Sequence, residues 1–191
     1  MKEVRFHGRG GQGVVIAAQL LATAAFHEGR FSQASLSYTG ERRGSPVLGY
    51  ARISDNPIIE KSKIYNPDYV VLMDNKLLMT IDPFEGIKKN GICLINCSDP
   101  MTVQNKIGKN TAKIFTVDAT RISEEVFGVK AIPIVNVSIL GAFAAITKEV
   151  NPESISAVLD QFLPLDVIEN NIRSARLGYE NVKEMTGFST K

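Results

Sequence analysis

The sequence predicts an α/β fold: a mostly parallel sheet with helices on both faces and a helical C-terminus. Three short, almost wholly apolar segments in mid-chain have the pattern of parallel strands buried on both faces. Helical patterns separate most of the predicted strands, and only helical patterns follow the last one. The chain has 191 residues, of which 44% are hydrophobic and 22% charged. These values exclude wholesale disorder, so we expect residues 1–191 to form a single domain.

The residue pattern in the N-terminal part of the chain predicts three strands and one helix. Alternation over residues 3–7 predicts a first strand. Small apolar residues at helical spacing predict a helix over Val14–His27, which ends at Gly29. Further alternation predicts strands over Phe31–Tyr38 and 47–53, joined by a loop rich in glycine and containing a proline.

The sequence pattern in the middle of the chain predicts the central strands of the sheet. Residues 69–73, Ile92–Asn96 and 113–118 are the three apolar segments. Two short helices are predicted to begin at Asp82 and Asp99, because a capping acid followed by proline is a typical helix start.

The C-terminal part predicts three helices. Residues 133–148 are apolar almost all round, so this helix is expected to be buried. A second helix begins at Asn151 and runs to about residue 162, and a third covers about 166–184. The residues after Gly187 are expected to fray.

Charge and hydrophobicity exclude several classes of partner. Lys and Arg number 22 and Asp and Glu 20, so the net charge is +2 and shows no excess suited to nucleic acid. No apolar run approaches the roughly 18 residues that a membrane span needs. The first residues lack the apolar segment of a signal peptide, so we expect a cytoplasmic protein without membrane or nucleic-acid partners.

The residues that usually carry catalysis or bind metals are scarce. Cys93 and Cys97 have no further cysteine or nearby histidine, so we expect two buried thiols and no zinc or iron–sulfur site. No Ser-His-Asp or Cys-His set is evident. His7 is the only well-placed base, and a core or hydrogen-bonded role is favoured for it. We therefore predict no catalytic residue in this chain.

A glycine-rich loop between the first strand and the first helix is the main candidate site. It consists of Gly8, Arg9, Gly10, Gly11, Gln12 and Gly13. Glycines let a phosphate approach the backbone, and the helix start offers unpaired N–H groups. The alternative is a turn needed only for close packing. A standard NAD site is disfavoured, because the second predicted strand does not end in an acid.

Two further features stand near this loop in the predicted fold. Arg42 and Arg43 lie in the glycine- and proline-containing loop and are suited to bind phosphate or carboxylate, or else form a solvated turn. Asn136 lies in the apolar helix and must find a partner, either in nearby backbone or at the site. Gly141 in the same helix implies a close contact with another element.

Together these segments resemble the gamma subunit of pyruvate (2-oxoacid):ferredoxin oxidoreductases. The resemblance covers nearly the whole chain. The residues that carry it are 8–15, 40–47, 52–54, 57–58 and 136–142.

The resemblance implies a Rossmann-like domain that does not bind NAD. It implies a complex of alpha, beta, gamma and delta chains, with thiamine diphosphate and [4Fe-4S] clusters in the partner chains. Such a complex converts pyruvate, coenzyme A and oxidised ferredoxin to acetyl-CoA, CO2 and reduced ferredoxin, or runs in reverse. The gamma chain is expected on the coenzyme A side, covering the active site, and is expected to be inactive alone.

The resemblance also suggests roles for the candidate residues. The glycine loop would present donors to an anionic group, Arg42 and Arg43 would neutralise phosphate or contact partner chains, and Asn136 would support that surface. Contact with ligand and contact with a subunit stay open for all of them. Two alternatives also stay open: a relative acting on 2-oxoisovalerate, 2-oxoglutarate or an aryl pyruvate, and a stand-alone nucleotide-binding module.

Overall fold

The computed structural model describes residues 1–38, 45–104 and 112–185. Within them, a seven-stranded sheet has the order β2-β3-β1-β4-β5-β6-β7. Its strands are β1 Lys2–Arg9, β2 Phe31–Tyr38, β3 Pro46–Ser54, β4 Tyr69–Leu72, β5 Ile92–Asn96, β6 Lys113–Val117 and β7 Lys183–Glu184.

The α-helices of these described residues fall mostly in the second half of the chain. They are α1 Val14–His27, α2 Met101–Gln104, α3 Ala119–Phe127, α4 Asn136–Thr147, α5 Pro152–Ala157 and α6 Ile168–Asn181. Three short 3₁₀ segments cover Asn75–Met79, Leu159–Gln161 and Leu165–Val167. No helix in the described part of the chain is long and apolar enough to cross a bilayer.

The sheet is mostly parallel in direction. β1, β4, β5 and β6 are parallel neighbours. β3 lies between β2 and β1 and is antiparallel to both, so β2 points the same way as β1. Only β3 and the short edge strand β7 run in the opposite direction within the described sheet. The carboxyl ends of β1, β4, β5 and β6 therefore meet at one edge.

The two faces of the sheet are covered unequally. On one face, Val4 and Phe6 pack with α1, α4 and α5 in the larger core. On the other face, Leu72 and Ile95 pack against shorter elements, including the buried Leu77 of the first 3₁₀ segment. Arg5 and His7 of β1 pair with β4 residues of this second face, which explains why two polar residues alternate with core residues.

Helices α4 and α6 cross at very short distance through two glycines. A Cβ on Gly141 would collide with the Ala175 carbonyl oxygen, and one on Gly178 with the Ser138 carbonyl oxygen. Each helix thus supplies one glycine that admits the backbone of the other. This close crossing is the contact that the presence of Gly141 in a buried helix implied.

Several predicted elements are confirmed, and three predictions are wrong. α1, β2 and β5 have the predicted bounds, and Gly29 ends α1 at φ 80°. The predicted helix at Asp82 is a turn: the Asp82 carboxylate accepts from the Phe84 N–H, but Gly86, at φ 72°, takes the chain out of helical geometry.

The other two errors lie nearer the C-terminus. The helix predicted to reach about residue 162 is helical only to Ala157, and two 3₁₀ segments follow. The last helix ends at Asn181 rather than near Glu184, because Lys183–Glu184 pairs with β6. The predicted fraying after Gly187 lies outside the described residues.

Candidate functional site

The glycine loop folds back on itself where β1 ends. The Gln12 side-chain oxygen accepts from the Arg9 backbone N–H at 2.8 Å, and the Gln12 N–H donates to the Arg9 carbonyl at 3.1 Å. The Gly10 N–H donates to the Ser45 carbonyl at 3.0 Å. Gln12 therefore closes the turn, and three of the loop's backbone donors are already used inside the protein.

Two glycines of the loop are required by backbone conformation. Gly11 has φ 96° and Gly13 has φ 75°, which is the left-handed region that favours glycine. A Cβ on Gly13 would lie 2.7 Å from the Asn136 amide nitrogen, and one on Gly11 would lie 2.9 Å from Ile132. The loop is therefore packed directly against α4 and the segment that precedes it.

Asp74 anchors the side chains of the loop. Its Oδ2 accepts from Arg9 Nε at 2.8 Å and lies 3.5 Å from the Gln12 amide nitrogen. Its Oδ1 accepts from the Lys76 backbone N–H at 2.9 Å. The Arg9 guanidinium thus already has a carboxylate partner at the end of β4.

A cavity of about 610 Å³ opens beside this loop, at the edge where the parallel strands end. Arg9, Gly10 and Gln12 line one side of it. The remaining lining comes from residues that follow β4, β5 and β6 and from the segment before α4. In open α/β sheets, ligands bind in the crevice outside the carboxyl ends of the strands.

Asn96 forms the floor of the cavity at the end of β5. Its Nδ2 donates to the Met73 carbonyl at 3.0 Å and to Thr120 Oγ1 at 3.1 Å. Its Oδ1 accepts from the backbone N–H groups of Ala119 and Thr120. Asp118 caps the same helix by accepting from the Arg121 N–H at 2.9 Å. The start of α3 is therefore capped by side chains of the protein itself.

The structure brings together only part of the predicted site. Arg9, Gly10 and Gln12 line the cavity, whereas Gly8, Gly11 and Gly13 belong to the loop without lining it. Asn136 is buried beside Gly13 and lines a different hollow of about 370 Å³ between helices. Its Oδ1 accepts from the Val137 N–H. Arg42 and Arg43 lie in residues 39–44, outside the described part of the chain.

Sequence reasoning missed most of the polar residues of the cavity. Among those that it missed are Asp74, Lys76, Asn96, Asp118 and Arg121. Each ends, or closely follows, one of the three apolar strands of the centre of the sheet. Since such strand ends meet at one edge, polar residues at these three positions were a usable signal.

His7 is adjacent to the glycine loop but is not a proton carrier. Its side chain is buried, and its Nε2 accepts from Arg5 Nε at 3.1 Å. Burial, helped by the Arg5 charge, lowers the pKa of His7 to about 3. The other Arg5 donors bind backbone carbonyls, those of Ile64, Tyr65, Pro83 and Glu85. His7 is therefore a neutral core residue that helps to hold Arg5.

The two cysteines are buried, free thiols. Burial raises the pKa of Cys93 far above its ordinary value, and raises that of Cys97 to about 11 with help from Asp118 and Asp99. Such thiols are protonated and unreactive at neutral pH. In the described residues, no cluster of three or more His, Cys, Asp or Glu side chains is arranged to hold a metal.

Comparison with known proteins identifies the family. Residues 3–181 match the family described as pyruvate ferredoxin/flavodoxin oxidoreductase. The chain belongs to this family. The crystal structure of pyruvate oxidoreductase subunit PORC (EC 1.2.7.1) from Thermotoga maritima superimposes with a TM-score of 0.81 at 38% identity, covering 95% of this chain and 97% of that one.

Individual members of the oxidoreductase family are similar over nearly their full length. Pyruvate synthase subunit PorC of Methanothermobacter marburgensis is 44% identical, with 96% of this chain and 98% of that protein covered. The common gamma subunit of pyruvate/ketoisovalerate oxidoreductases from Pyrococcus furiosus is also 44% identical, with the same coverage. The chain is thus a gamma subunit of the pyruvate synthase and keto acid:ferredoxin oxidoreductase type.

Proposed function

We propose that this gamma subunit contributes the surface that receives coenzyme A in a pyruvate:ferredoxin oxidoreductase. The single observation that carries the proposal is the 610 Å³ cavity beside the glycine loop. It lies at the strand edge where α/β proteins bind nucleotide-like ligands. Coenzyme A is the one substrate of the proposed reaction with a nucleotide part, so it is the substrate that this cavity suits.

The proposed function also requires the chain to assemble with other subunits. The chain, acting as one domain over residues 1–191, would join alpha, beta and delta subunits, and the complex would pass electrons to ferredoxin. Thiamine diphosphate and [4Fe-4S] clusters would be held by the partner chains. The buried thiols and the neutral His7 support placing the cofactors in the partner chains, because they leave the gamma chain few groups suited to catalysing the reaction. The proposed location is the cytoplasm.

The predicted site residues enter this proposal with different roles. Gly8, Gly11 and Gly13 shape the loop, while Arg9, Gly10 and Gln12 form one wall of the cavity. Asn136 supports the loop from α4 rather than contacting the ligand. The roles of Arg42 and Arg43, toward phosphate or toward a partner chain, stay as predicted from the sequence.

The test fills the cavity in the assembled enzyme. Ser98 is exposed, lines the cavity and makes no side-chain hydrogen bond within the described residues, so Ser98→Trp adds bulk without breaking a contact. We expect the KM for coenzyme A to rise by at least about tenfold while the KM for pyruvate stays unchanged. Gln19→Trp, on the exposed face of α1, is the matched control and should change neither constant.

Two results would contradict the proposal. Wild-type kinetics in the Ser98→Trp complex would mean that coenzyme A does not enter this cavity. Recovery of the chain from native extract without partners, binding a nucleotide tightly, would instead support the stand-alone module.

A relative acting on another 2-oxoacid is the second candidate. The observation that favours it is the 44% identity to a gamma subunit named as common to pyruvate and ketoisovalerate oxidoreductases. The purified complex should therefore be assayed with pyruvate, 2-oxoisovalerate, 2-oxoglutarate and an aryl pyruvate. The acid with the highest kcat/KM identifies the substrate.

A further inference from the structure

Most of the polar groups that line the large cavity are already bonded within the protein. Arg9 and Gln12 are held by Asp74, and Asp118 accepts from the Arg121 backbone N–H. Asn96 uses both amide donors and its oxygen. These groups build the walls of the cavity, and each already has at least one partner within the protein.

A second set of lining side chains is uncommitted. Within the described residues, Lys76, Ser98 and Arg121 form no side-chain hydrogen bond or ion pair, and the same holds for Asn75. All four present hydrogen-bond donors, and two of them carry a positive charge. Lys76 and Arg121 are exposed, so they can reach a ligand in the cavity without leaving a buried partner unpaired.

The fold arranges these donors in a row across three strand ends. Asn75 and Lys76 follow β4, Ser98 follows β5, and Arg121 follows β6. Neighbouring strands are about 4.8 Å apart, so the outer two positions are separated by about 10 Å at the backbone. Long Lys and Arg side chains can converge over that distance on a group placed between them, above Asn96.

We propose that Lys76 and Arg121 form a clamp for a phosphate-bearing anion, with Asn75 and Ser98 as neutral donors. This inference rests on the proposed function, since coenzyme A carries such phosphates. It places the cationic contacts after β4 and β6 rather than within the glycine loop. Charge-assisted hydrogen bonds to phosphate are stronger than neutral ones, which gives the two cations the larger share of the binding.

Carboxylates at the same cavity also affect how strongly it binds an anion. Asp74 is neutralised by Arg9, and Asp118 is engaged as a helix cap. Glu124 is exposed and forms no ion pair within the described residues. It therefore opposes an incoming anion, and its removal should strengthen the binding of that anion.

The test measures steady-state kinetics of the assembled complex with coenzyme A as the varied substrate. Lys76→Gln and Arg121→Gln should each raise the KM for coenzyme A by roughly tenfold, with the KM for pyruvate unchanged. Glu124→Gln should lower the KM for coenzyme A. Lys89→Gln and Arg176→Gln are the matched controls, because these exposed cations lie outside the cavity and should leave both constants unchanged.

The outcomes separate this inference from the proposed function. If Ser98→Trp raises the KM for coenzyme A but both charge variants match the controls, the clamp is wrong and the proposed function stands. If neither the bulky variant nor the charge variants affect that constant, the proposed function fails as well. Added salt should raise the KM for coenzyme A in the wild-type complex more than in the Lys76→Gln, Arg121→Gln double variant. Equal salt dependence would contradict the clamp.

Discussion

At the scale of single residues, His7 links the protonation of one side chain to the stability of the chain. Its Nε2 accepts from Arg5, so in the neutral ring the proton is on Nδ1. Nδ1 is buried, and it has no hydrogen-bond partner within the described residues. Protonating Nε2 would cost the Arg5 hydrogen bond and place two positive charges in contact.

This arrangement predicts acid destabilisation. In the folded chain the pKa of His7 is about 3, below its ordinary value of 6.5. As pH falls through 6.5, His7 therefore binds a proton in the unfolded chain but not in the folded chain. We expect the free energy of unfolding to fall by about 2 kcal/mol between pH 7 and pH 5 from this group alone. Urea denaturation across that range should show the slope in wild type and in His27→Gln but not in His7→Gln. Parallel profiles for all three would contradict it.

At the scale of secondary-structure elements, the crossing of α4 and α6 sets the spacing of the C-terminal helices. Gly178→Ala places a methyl group against the Ser138 carbonyl oxygen, so the helices must move apart. We expect a loss of about 3 kcal/mol in the free energy of unfolding. Arg176→Ala, exposed on the same helix, should change it by less than about 0.5 kcal/mol. A stable Gly178→Ala protein with unchanged denaturation would contradict this packing.

The capping of α3 by Asn96 gives a second test at this scale. Asn96→Ala removes the acceptor for the Ala119 and Thr120 N–H groups and the donor to Met73. We expect a loss of about 2 kcal/mol and faster hydrogen exchange at the Ala119 and Thr120 amides. Asn96→Asp keeps the acceptor, so exchange at those two amides should stay slow. Fast exchange in both variants would argue against the cap.

The sequence predicts well those helices and strands that neighbouring residues along the chain are enough to specify. α1 and β5 have their predicted bounds because small residues at helical spacing and an unbroken apolar run are enough to specify them. The sequence pattern does not predict α3, because it places Asp118 at the end of a strand, whereas Asp118 also caps the helix that follows. β7 exists only through its pairing with β6, which no local pattern can show.

The same distinction applies to the site. The glycine loop is visible in sequence because its conformation depends on adjacent residues. The cavity is not, since Lys76, Ser98 and Arg121 come together only when β4, β5 and β6 align. The sequence indicates that Asn136, a polar residue in an apolar helix, needs a partner, but its position beside Gly13 depends on the packing of α4.

At the scale of the whole molecule, folding and activity should be separable. Both packed cores lie within this one chain, so we expect it to fold without its partners. We therefore expect a cooperative thermal transition by circular dichroism but no pyruvate-dependent reduction of a low-potential dye. Mixing with the partner subunits should restore activity, and mixing heat-denatured chain with them should not. Activity of the isolated chain would contradict this division.

The position of β1 has a consequence for how the chain is made. Among the described strands β1 is synthesised before the others, yet its neighbours in the sheet are β3 and β4 rather than β2. β1 cannot be paired until residues 46–54 and 69–72 have been synthesised. The hydrogen bond from Gly10 to the Ser45 carbonyl likewise forms only after Ser45 has been synthesised. Such non-local pairing slows folding and leaves the backbone hydrogen-bonding groups of β1 unpaired until then. The glycine loop therefore takes its final shape only after β3 and β4 have been synthesised.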